Sequence, residues 1–579
     1  MGLLLKEFGK NASDILDFLI SELGISSRLD PRLLIIQFFA LLSIFILLQE
    51  KRVFRLGDFC LKKASNFLNI LTTGKYRPIL LIVVIETVIL FSLYRVQKSY
   101  PIIMDEHAHL LIADNALNGS FAGETHPEHE FFETFFVISN PSYTGKYPPG
   151  LGFLMAFGKF VFSQYIAGVW LAFVIGSLLV YLFFLNFFNK KWSFIGALFL
   201  VFNVKILTMW GLSYWGGALS LFGSALFWVS FVKLNKRIDL KYCLLLPVGF
   251  ALMFLNRPYE SALIAICPAV FLLINFIKKV KSQKINSALF TSLKFFGPII
   301  LTLCMTIVLI LFYNKQVTGD MLVQPHQLYT KNYEGVKPFI FQDMSEPEYP
   351  FAEAKIYNDL DVNNHVSKRK GFEGYIRGVN SKFFYYLFFF FELVCIIPLV
   401  FYLLSRKSFH DLVFGITLLI LFIGSSLVTY EWGHYIACAS PLIIYMLVKG
   451  TKLFYESSLN SRFLRSLFIS FLGVLFINLL LSAVLHIKAN KGSYSEVKNS
   501  IADKLEANSK DDLVFVSYGE NHLLLEEWVY NSSDIDNSPV IWARDLGIAK
   551  NDELINYYNN DRNTWRLEVD GDSVSLTNY

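Results

Sequence analysis

The segment ILLIVVIETVILFSLYRVQKSYPIIMDEHAH, residues 79–109, decides how this chain folds. Thirteen of its first 17 residues are apolar, and this length is at the lower end of the roughly 17–25 residues that a membrane-spanning helix needs. The stretch that follows contains no Lys or Arg between Lys98 and Lys146, yet it concentrates Asp, Glu and His. Because ionisable residues held between membrane spans are costly and usually functional, we expect a reaction centre in this loop.

Composition places the whole chain among polytopic membrane proteins. Of its 579 residues, 54% are apolar and 17% are charged, below the roughly 25% charged residues of soluble domains. The mean hydropathy is +0.46, and helix-length apolar runs recur along the sequence. The apolar composition makes the lipid bilayer the expected surroundings, and the net charge of +5, spread over loops, argues against a nucleic-acid partner.

The predicted fold class is mainly α, a polytopic bundle of about twelve transmembrane helices. Several of the apolar runs are shorter than the roughly 20 residues of an ideal span. The predicted spans are residues 32–49, 79–95, 164–187, 192–210, 213–234, 243–256, 261–277, 291–313, 382–404, 412–429, 436–449 and 464–486.

Basic residues fill alternate connections between these spans. They cluster at 51–63, 190–191, 233–237, 278–281, 406–407 and 449–465. By the positive-inside rule these connections face the cytoplasm. The opposite face is then built from 96–150, 208–214, 256–260, 314–381, 430–435 and the chain after 487.

The six cysteines all lie in or beside apolar segments, which argues against structural disulfides. The N-terminus lacks a basic stretch followed by a cleavable apolar core, so we expect no signal peptide there. Residues 1–30 are predicted to form a surface helix instead. The first predicted unit, residues 1–78, combines this helix with an extra span and a basic cytoplasmic connection.

Polar and aromatic residues at the ends of later spans converge on the same predicted outer face. They occur in the segments Trp210–Trp215, Arg257–Glu260 and Tyr430–Tyr435. Such convergence indicates a shared cavity at the outer leaflet. Two other interpretations stay open, because Trp and Tyr also form belts at membrane surfaces and because Arg257 and Glu260 could form a structural ion pair.

Asp105 begins a predicted helix that runs to Asn118, with Pro101 upstream and Gly119 at its end. A positioned carboxylate in a partly desolvated site can accept a proton from an acceptor hydroxyl or amine. A carboxylate at the start of a helix can also serve only as its cap. The position alone does not choose between these two roles.

Lys146 ends the long stretch without cations, and a Tyr-Pro-Pro-Gly segment leads from it into the next helix. A fixed cation opposite a fixed carboxylate suits a phosphate-bearing donor. We expect Lys146 and Arg257 to hold the charge that grows on the leaving phosphate, while Asp105 activates the nucleophile.

In this order the motifs resemble those of the GT-C glycosyltransferases that use polyprenyl-phosphate sugars. That superfamily includes protein O-mannosyltransferases, the lipid A aminoarabinose transferase and rhizobial-type lipopolysaccharide sugar transferases, and the chain is similar in particular to a set of uncharacterised bacterial members. The resemblance runs from about residue 79 to 579. The matching motifs are Asp105-Glu106, Thr125-His126-Pro127, Phe132-Glu133-Thr134-Phe135, Pro141, Lys146-Tyr147-Pro148-Pro149, Ser213–Ala218, Arg257-Pro258-Tyr259-Glu260, Thr318-Gly319 and His434-Tyr435.

The resemblance implies an inverting transfer of a hexosyl or pentosyl group to a glycolipid, polysaccharide or protein acceptor. It implies Asp105 as general base with Glu106 beside it, and Lys146 and Arg257 as ligands of the donor phosphate. A phosphate leaving group needs one base, whereas hydrolases use a paired acid as well. The implied location is a bacterial inner membrane with the site facing the periplasm. The predicted substrate pocket consists of His107, His109, His126, Glu133, Tyr147, Tyr214, Trp215, Tyr259, Glu260, His434 and Tyr435.

No cofactor is expected to be required. Imidazole and carboxylate groups hold Zn²⁺ or Mn²⁺ in other proteins, and the first outer loop is rich in both. However, the spacings His-x-His and His-Pro-Glu-His do not specify one tetrahedral site, so pocket-lining or surface roles remain the alternative to a divalent metal. The candidate metal ligands are His107, His109, His126 and His129.

The polar tail, residues 487–579, is predicted to form a small α/β cap on the outer face, after a catalytic transmembrane unit at 79–486. Loop 314–381 exceeds usual connection lengths, so we expect a lid or an acceptor platform. In the tail, periodicity predicts strands at Leu513–Val516, Val540–Ala543 and Thr564–Val569 and a helix at Asn551–Tyr558.

Two other classes of membrane protein fit the composition. A transporter of lipid-linked sugars should show charges or Gly/Pro breaks deep within paired spans, together with an internal repeat, and the sequence shows neither. A polysaccharide polymerase or ligase would share substrate and side, but its key charges would be expected in later loops rather than in the first. Glycosyl transfer is therefore the preferred prediction.

Overall fold

The computed structural model describes residues 31–579 except 97, 99, 282, 370, 490–492, 508 and 560. The predicted surface helix in residues 1–30 lies outside these residues. The described chain is mainly helical, with a small sheet near its C-terminus, which confirms the predicted fold class. The boundaries proposed at 78/79 and 486/487 stay predictions.

The helices are numbered in chain order. They are α1 (Pro31–Leu47), α2 (Lys51–Leu71), α3 (Arg77–Val96), α4 (Met104–Leu117), α5 (Gly150–Phe162), α6 (Tyr165–Phe184), α7 (Lys190–Phe202), α8 (Val204–Ile206), α9 (Gly217–Lys236), α10 (Leu240–Phe254), α11 (Pro258–Lys281), α12 (Ile285–Thr318), α13 (Pro325–Tyr333), α14 (Ala352–Arg369), α15 (Gly371–Phe390), α16 (Ile396–Leu404), α17 (Phe409–Ser426), α18 (Ser440–Ser458), α19 (Arg462–Ala489), α20 (Tyr494–Leu505) and α21 (Ile548–Tyr557). Shorter helical turns lie at His129–Phe132, Leu207–Gly211, Leu393–Cys395 and Gly433–Ala439.

The protein is a multi-pass membrane protein. Eight of the described helices are long and apolar enough to cross a membrane, and two bent pairs raise the number to ten. All twelve predicted spans coincide with helices, but α1 and α10 are too short to be included in that number. Hydropathy detects an apolar run and not its length as a helix, which is why the predicted number is higher.

The two bent spans break at the same place in the bundle. The axis turns by 60° between α7 and α8, and by 93° between α15 and the segment Leu393–Leu404. Asn203 Nδ2 donates a hydrogen bond of 3.1 Å to the Phe390 carbonyl, and Lys205 Nζ donates one of 2.7 Å to the Phe388 carbonyl. Side chains of the first break thus satisfy carbonyl groups that the second break frees from its helix.

A polar cluster from α1 completes this junction. Gln37 Nε2 donates to Glu392 Oε2 at 2.6 Å and to Asn478 Oδ1 at 3.0 Å, and Gln37 Oε1 accepts from the Leu393 amide at 2.9 Å. Lys205 lies 3.8 Å from Glu392. The prediction that no charges lie within paired spans was therefore wrong, because Lys205 and Glu392 lie inside the predicted spans 192–210 and 382–404.

Helix α9 lies at the centre of the main hydrophobic core, packed against α6, α10 and α18. A Cβ atom placed on Gly223 would come within 2.7 Å of the Gly249 carbonyl oxygen. Only glycines allow α9 and α10 to approach this closely, as small residues do at helix contacts in membranes. The core thereby fixes the ends of α9 and α11, which carry part of the site described below.

The amphipathic helix α2 lies at the end of the bundle where the basic connections cluster. Arg465 Nε, near the start of α19, donates to Asp58 at 2.9 Å, and Lys191 Nζ, near the start of α7, donates to Ser65 at 2.6 Å. These contacts place three of the predicted cytoplasmic connections side by side.

The first outer loop and the C-terminal segment are in direct contact at the opposite end. The loop contains α4 and a small antiparallel pair, β1 (Val137–Ile138) and β2 (Thr144–Gly145). Asn118 Nδ2 donates to Ser533 Oγ at 2.8 Å, and Lys550 pairs with Glu130. The two segments that charge alternation assigns to one face therefore touch.

The C-terminal sheet has four strands in the order β4-β3-β5-β6. Strands β3 (Asp512–Tyr518), β4 (Val540–Arg544) and β5 (Asn563–Asp570) are parallel, and β6 (Ser573–Asn578) pairs antiparallel with β5. The predicted strands and the predicted helix, here α21, are confirmed. Strand β6 was missed because it is an exposed edge strand rich in Ser, Thr and Asn.

Candidate active site

The start of α4 is tied down by Glu106 rather than capped by Asp105. Glu106 Oε2 accepts hydrogen bonds from the amides of Ile102 at 2.7 Å and Ile103 at 3.3 Å, and Oε1 accepts from the Tyr214 amide at 2.9 Å. Ile103 occupies the cap position, so Asp105 lies inside the first turn. Burial raises the pKa of Glu106 to about 7, against the opposing effect of these amides.

Asp105 is therefore free of the capping role, and its contact is with Tyr147. The Tyr147 hydroxyl donates a hydrogen bond to Asp105 Oδ1. Burial, followed by the charge of Asp105, raises the pKa of Tyr147 and keeps the phenol protonated. Within the described chain Asp105 forms no ion pair, and its side chain is only half-buried.

Lys146 is buried and paired in this structure. Its Nζ lies 2.6 Å from Glu334 Oε1, and it also lies 3.4 Å from the ring centroid of Phe136 and 4.7 Å from that of Tyr329. Burial tends to raise the pKa of Glu334, but the Lys146 ammonium outweighs it, so the pKa of this carboxyl is lowered. The cation expected to bind phosphate is thus held by a carboxylate from the loop after α13.

Arg257 is also near Tyr147. Its guanidinium carbon is 3.9 Å from the ring centroid of Tyr435, and Nη1 is 3.9 Å from Glu260 Oε1. Its positive charge acts on Tyr147 and His109. The expected ion pair with Glu260 is present at long range, and the half-buried guanidinium and Asp105 both act electrostatically on Tyr147 and Tyr435.

His109 follows Asp105 by four residues and lies on the same face of α4. Its ring stacks on Tyr147 with a centroid distance of 4.4 Å and an interplanar angle of 21°. Burial, with a smaller effect from Arg257, lowers the pKa of His109 to about 3. His109 is therefore a neutral imidazole at the base of the site.

The turn before α9 brings Trp215 to this region. Gly216 adopts φ +85°, and a Cβ there would lie 2.9 Å from Asn256 Oδ1, so the Trp-Gly-Gly sequence is required by the backbone. Trp215 lies 4.8 Å from His434 and 4.7 Å from Trp432, measured between ring centroids. The tight turn thus aims one indole at the last predicted pocket motif.

The structure brings together Asp105, His109, Tyr147, Trp215, Arg257, Glu260, His434 and Tyr435. Tyr214 lies beside them and contributes its backbone amide to Glu106. Tyr259 instead donates a hydrogen bond of 2.9 Å to the Gly424 carbonyl and so fixes α11 to α17.

Other predicted residues of α4 and its loop lie instead against the C-terminal segment, residues 487–579. His107 stacks on Tyr530 at 3.9 Å, and its Nε2 lies 3.3 Å from the Tyr494 hydroxyl. His126 contacts Asp536 at 3.0 Å. These two histidines are not brought to Asp105, since each is used at the contact with the C-terminal unit.

His129 and Glu133 form a separate pair, 3.5 Å apart, and the Glu133 carbonyl accepts from Arg544 Nε at 2.6 Å. The candidate metal ligands His107, His109, His126 and His129 are thus dispersed. In the part of the chain that the structure describes, no group of three or more His, Cys, Asp or Glu side chains could hold a metal ion.

Loop 314–381 contributes residues that the sequence analysis did not name. Glu334 follows α13, and His326, at the start of that helix, is near Lys146 and Arg257; burial and these charges lower the pKa of His326 to about 4. Tyr357, on α14, lies within electrostatic range of Asp105. Only the unusual length of the loop could have pointed to them.

Comparison with known proteins gives structural likeness alone. No known family and no curated protein matches the sequence. The structure of ArnT from Cupriavidus metallidurans bound to undecaprenyl phosphate is similar over 86% of this chain and 93% of that chain, with 10% identity and a TM-score of 0.43. An oligosaccharyltransferase from Archaeoglobus fulgidus, tethered with an acceptor peptide, is similar over 77% of this chain and 62% of that chain, with 13% identity and a TM-score of 0.41.

Proposed function

We propose that this protein transfers a sugar from a polyprenyl-phosphate donor to an acceptor hydroxyl or amine on the outer face of the membrane. The observation that carries the proposal is the placement of Asp105. Its carboxylate makes no ion pair among the described residues, accepts a hydrogen bond from the neutral phenol of Tyr147, and shares a site with Arg257. A base and an anion-binding cation on one side of a bundle of spans suit a lipid-phosphate donor.

The reaction is a single displacement. The acceptor oxygen or nitrogen attacks the anomeric carbon of the sugar from the face opposite the phosphate, and the carbon–oxygen bond to the phosphate breaks with inversion. The electron pair of that bond stays on the polyprenyl phosphate, which leaves without needing a proton. The acceptor proton passes to Asp105, which later releases it to solvent.

Tyr147 positions the base. Its hydroxyl holds Asp105, its ring stacks on His109, and its carbonyl accepts a hydrogen bond of 2.9 Å from the Tyr313 hydroxyl. Two side-chain contacts and one backbone contact fix Tyr147, which keeps the carboxylate oriented toward the acceptor. Arg257 supplies positive charge where negative charge grows on the leaving phosphate.

Lys146 takes part by exchanging one anion for another. It is buried beside Glu334, and a buried cation without an anion is strongly unfavourable. The donor phosphate would displace Glu334 and keep Lys146 neutralised. Binding of the donor and movement of the segment after α13 are therefore coupled.

The acceptor would be a glycolipid, a polysaccharide or a protein reached from the periplasm of a bacterial inner membrane. The test is a strain that lacks the protein, complemented with the parent or with D105N, with lipid extracts compared by mass spectrometry. We expect D105N to accumulate the polyprenyl-phosphate sugar and to lose the sugar from the acceptor. Equal modification of the acceptor in both strains would refute the proposal.

A second candidate, a transporter of lipid-linked sugars, is favoured by the two broken spans that meet at Lys205 and Glu392. Broken helices with charges at membrane depth are typical of transporters. Purified protein in vesicles would distinguish the two, because a transporter moves the donor between leaflets without joining it to an acceptor.

A further inference from the structure

Several buried ring nitrogens without hydrogen-bond partners lie in the region around Arg257. Among the described residues, these include Nδ1 of His109, both ring nitrogens of His434, and Nε1 of Trp215. His434 lies within electrostatic range of Arg257 and of His109, and its ring is 4.8 Å from that of Trp215. Buried polar groups normally have partners, so this arrangement indicates a ligand that supplies them.

The same side chains offer an aromatic surface. Trp215 and Trp432 are half-buried with their ring centroids 4.7 Å apart, and Tyr435 meets His434 edge-on at 4.8 Å. Binding pockets for small molecules combine such apolar faces with a few polar groups that fix orientation. The faces can cover the C–H side of a ring, while the nitrogens contact its substituents.

The cluster is uncharged. Burial lowers the pKa of His109 to about 3, so its imidazole is neutral at physiological pH. The indole N–H of Trp215 is a donor only, and a neutral imidazole has one donor and one acceptor. The charge of Arg257 acts on His109 and His434, and Glu260 lies 3.9 Å from Arg257.

We propose that Trp215, His434 and His109 form the subsite for the donor's sugar ring, and that this subsite selects an uncharged sugar through its hydroxyl groups. The inference rests on the proposed function and adds the chemical class of the transferred group. The phosphate binds separately, at Arg257 and Lys146.

Hydroxyl groups fit this set of partners because each both donates and accepts. A carboxylate could accept from Trp215 but would leave the acceptor nitrogen of an imidazole unpaired. An ammonium could not pair with the indole N–H at all. Discrimination by unpaired buried groups is stronger than discrimination by shape in an apolar pocket.

The experiment measures the affinity of the purified full-length protein for undecaprenyl phosphate and for undecaprenyl-phosphate sugars that are neutral, carboxylated or amino-substituted. Variants W215F and H434F keep an aromatic ring but lose the nitrogens. A matched control is W170F, which removes another indole N–H without a partner, on α6 beside Tyr94. Thermal unfolding of each variant reports its folding.

We expect at least one undecaprenyl-phosphate sugar with a neutral sugar ring to bind more tightly than undecaprenyl phosphate. Those with a charged sugar ring should bind no more tightly than undecaprenyl phosphate. W215F and H434F should each lower the affinity for the neutral lipid-linked sugar by about tenfold and leave the affinity for undecaprenyl phosphate unchanged. W170F should change neither affinity. If W215F and H434F lost affinity equally for both ligands, or lost none for the sugar, the proposed subsite would be wrong while the proposed function would stand. Failure of the parent to bind undecaprenyl phosphate would instead overturn the proposed function and the subsite with it.

Discussion

The ammonium of Lys146 lies 2.6 Å from the carboxylate of Glu334, and the two side chains expose only 4% and 14% of their surface. The partners come from the two loops 96–150 and 314–381, so the pair joins the segment before α5 to the segment after α13. The pair also fills the position that the proposed mechanism gives to a phosphate. Two opposite effects of one substitution follow.

E334Q should bind undecaprenyl phosphate more tightly than the parent while unfolding at a lower temperature. Removing the carboxylate frees Lys146 for the ligand, yet it leaves a buried cation without its partner, which costs on the order of 3–5 kcal/mol. Calorimetric titration checks the expected gain in affinity, and thermal unfolding of the same preparation checks the expected loss of stability. Weaker binding in a folded E334Q would show that Glu334 helps to hold the ligand.

D105N should reduce transfer by roughly 10²–10⁴-fold, because the amide cannot accept the acceptor proton. Its unfolding temperature should stay close to that of the parent, since Asp105 does not occupy the cap position of α4. Turnover with the native donor is the measurement. If activity merely tracked the amount of folded protein in D105N and D105A, Asp105 would be structural.

R257A should weaken undecaprenyl phosphate binding by on the order of 2–3 kcal/mol, the value of a charge-assisted contact to a phosphate. R257K restores the charge but not the planar group that lies 3.9 Å from the Tyr435 ring, so it should recover only part of the affinity. Binding in the purified variants decides this. Unchanged affinity in R257A would restrict Arg257 to its ion pair with Glu260.

E106Q should change how stability depends on pH. Burial raises the pKa of Glu106 from 4.5 to about 7, so between these values the folded protein holds a proton that the unfolded chain has lost. The stability that the folded protein gains by binding this proton more tightly is fully present below pH 4.5 and is lost as the pH rises through 7. The unfolding temperature of the parent should therefore fall relative to that of E106Q as the pH rises over this range. Parallel plots of unfolding temperature against pH for the two proteins would contradict the raised pKa of Glu106.

Cysteines introduced at Ser120 and at Ser533 should both react with an impermeant thiol reagent added to the periplasmic side, while Cys60 should not. Asn118 bonds Ser533 and lies two residues before Ser120, so the two positions must share a side, and Cys60 is exposed on α2 at the other end. Labelling of only one introduced cysteine would contradict the predicted topology.

Hydropathy and periodicity sufficed for most elements, because helices and strands follow from local patterns. The helix from Met104 to Leu117 and the strands β3, β4 and β5 appear where the sequence predicts them. The bends at Asn203 and Glu392 could not be predicted, since they depend on carbonyl groups that find donors on a distant span.

The candidate site could be predicted only in part, because local spacing reveals residues on one helix but not partners from a distant loop. Asp105 and His109 are four residues apart and share one face of α4, whereas His107 is directed away from them to Tyr530; helical spacing could have separated them. Glu334 could not be found, because nothing in its own loop marks it as the partner of Lys146.

The junction of the two broken spans bears on the order in which the protein is synthesised. Asn203 and Lys205 precede Phe388–Phe390 in the chain, so donors for the freed carbonyls already exist when the later segment reaches the membrane. Gln37 is in the reverse position, because its partners Glu392 and Asn478 emerge hundreds of residues later. The side-chain amide of Gln37 must therefore stay unpaired, or be held by the insertion machinery, until Glu392 and Asn478 have been synthesised.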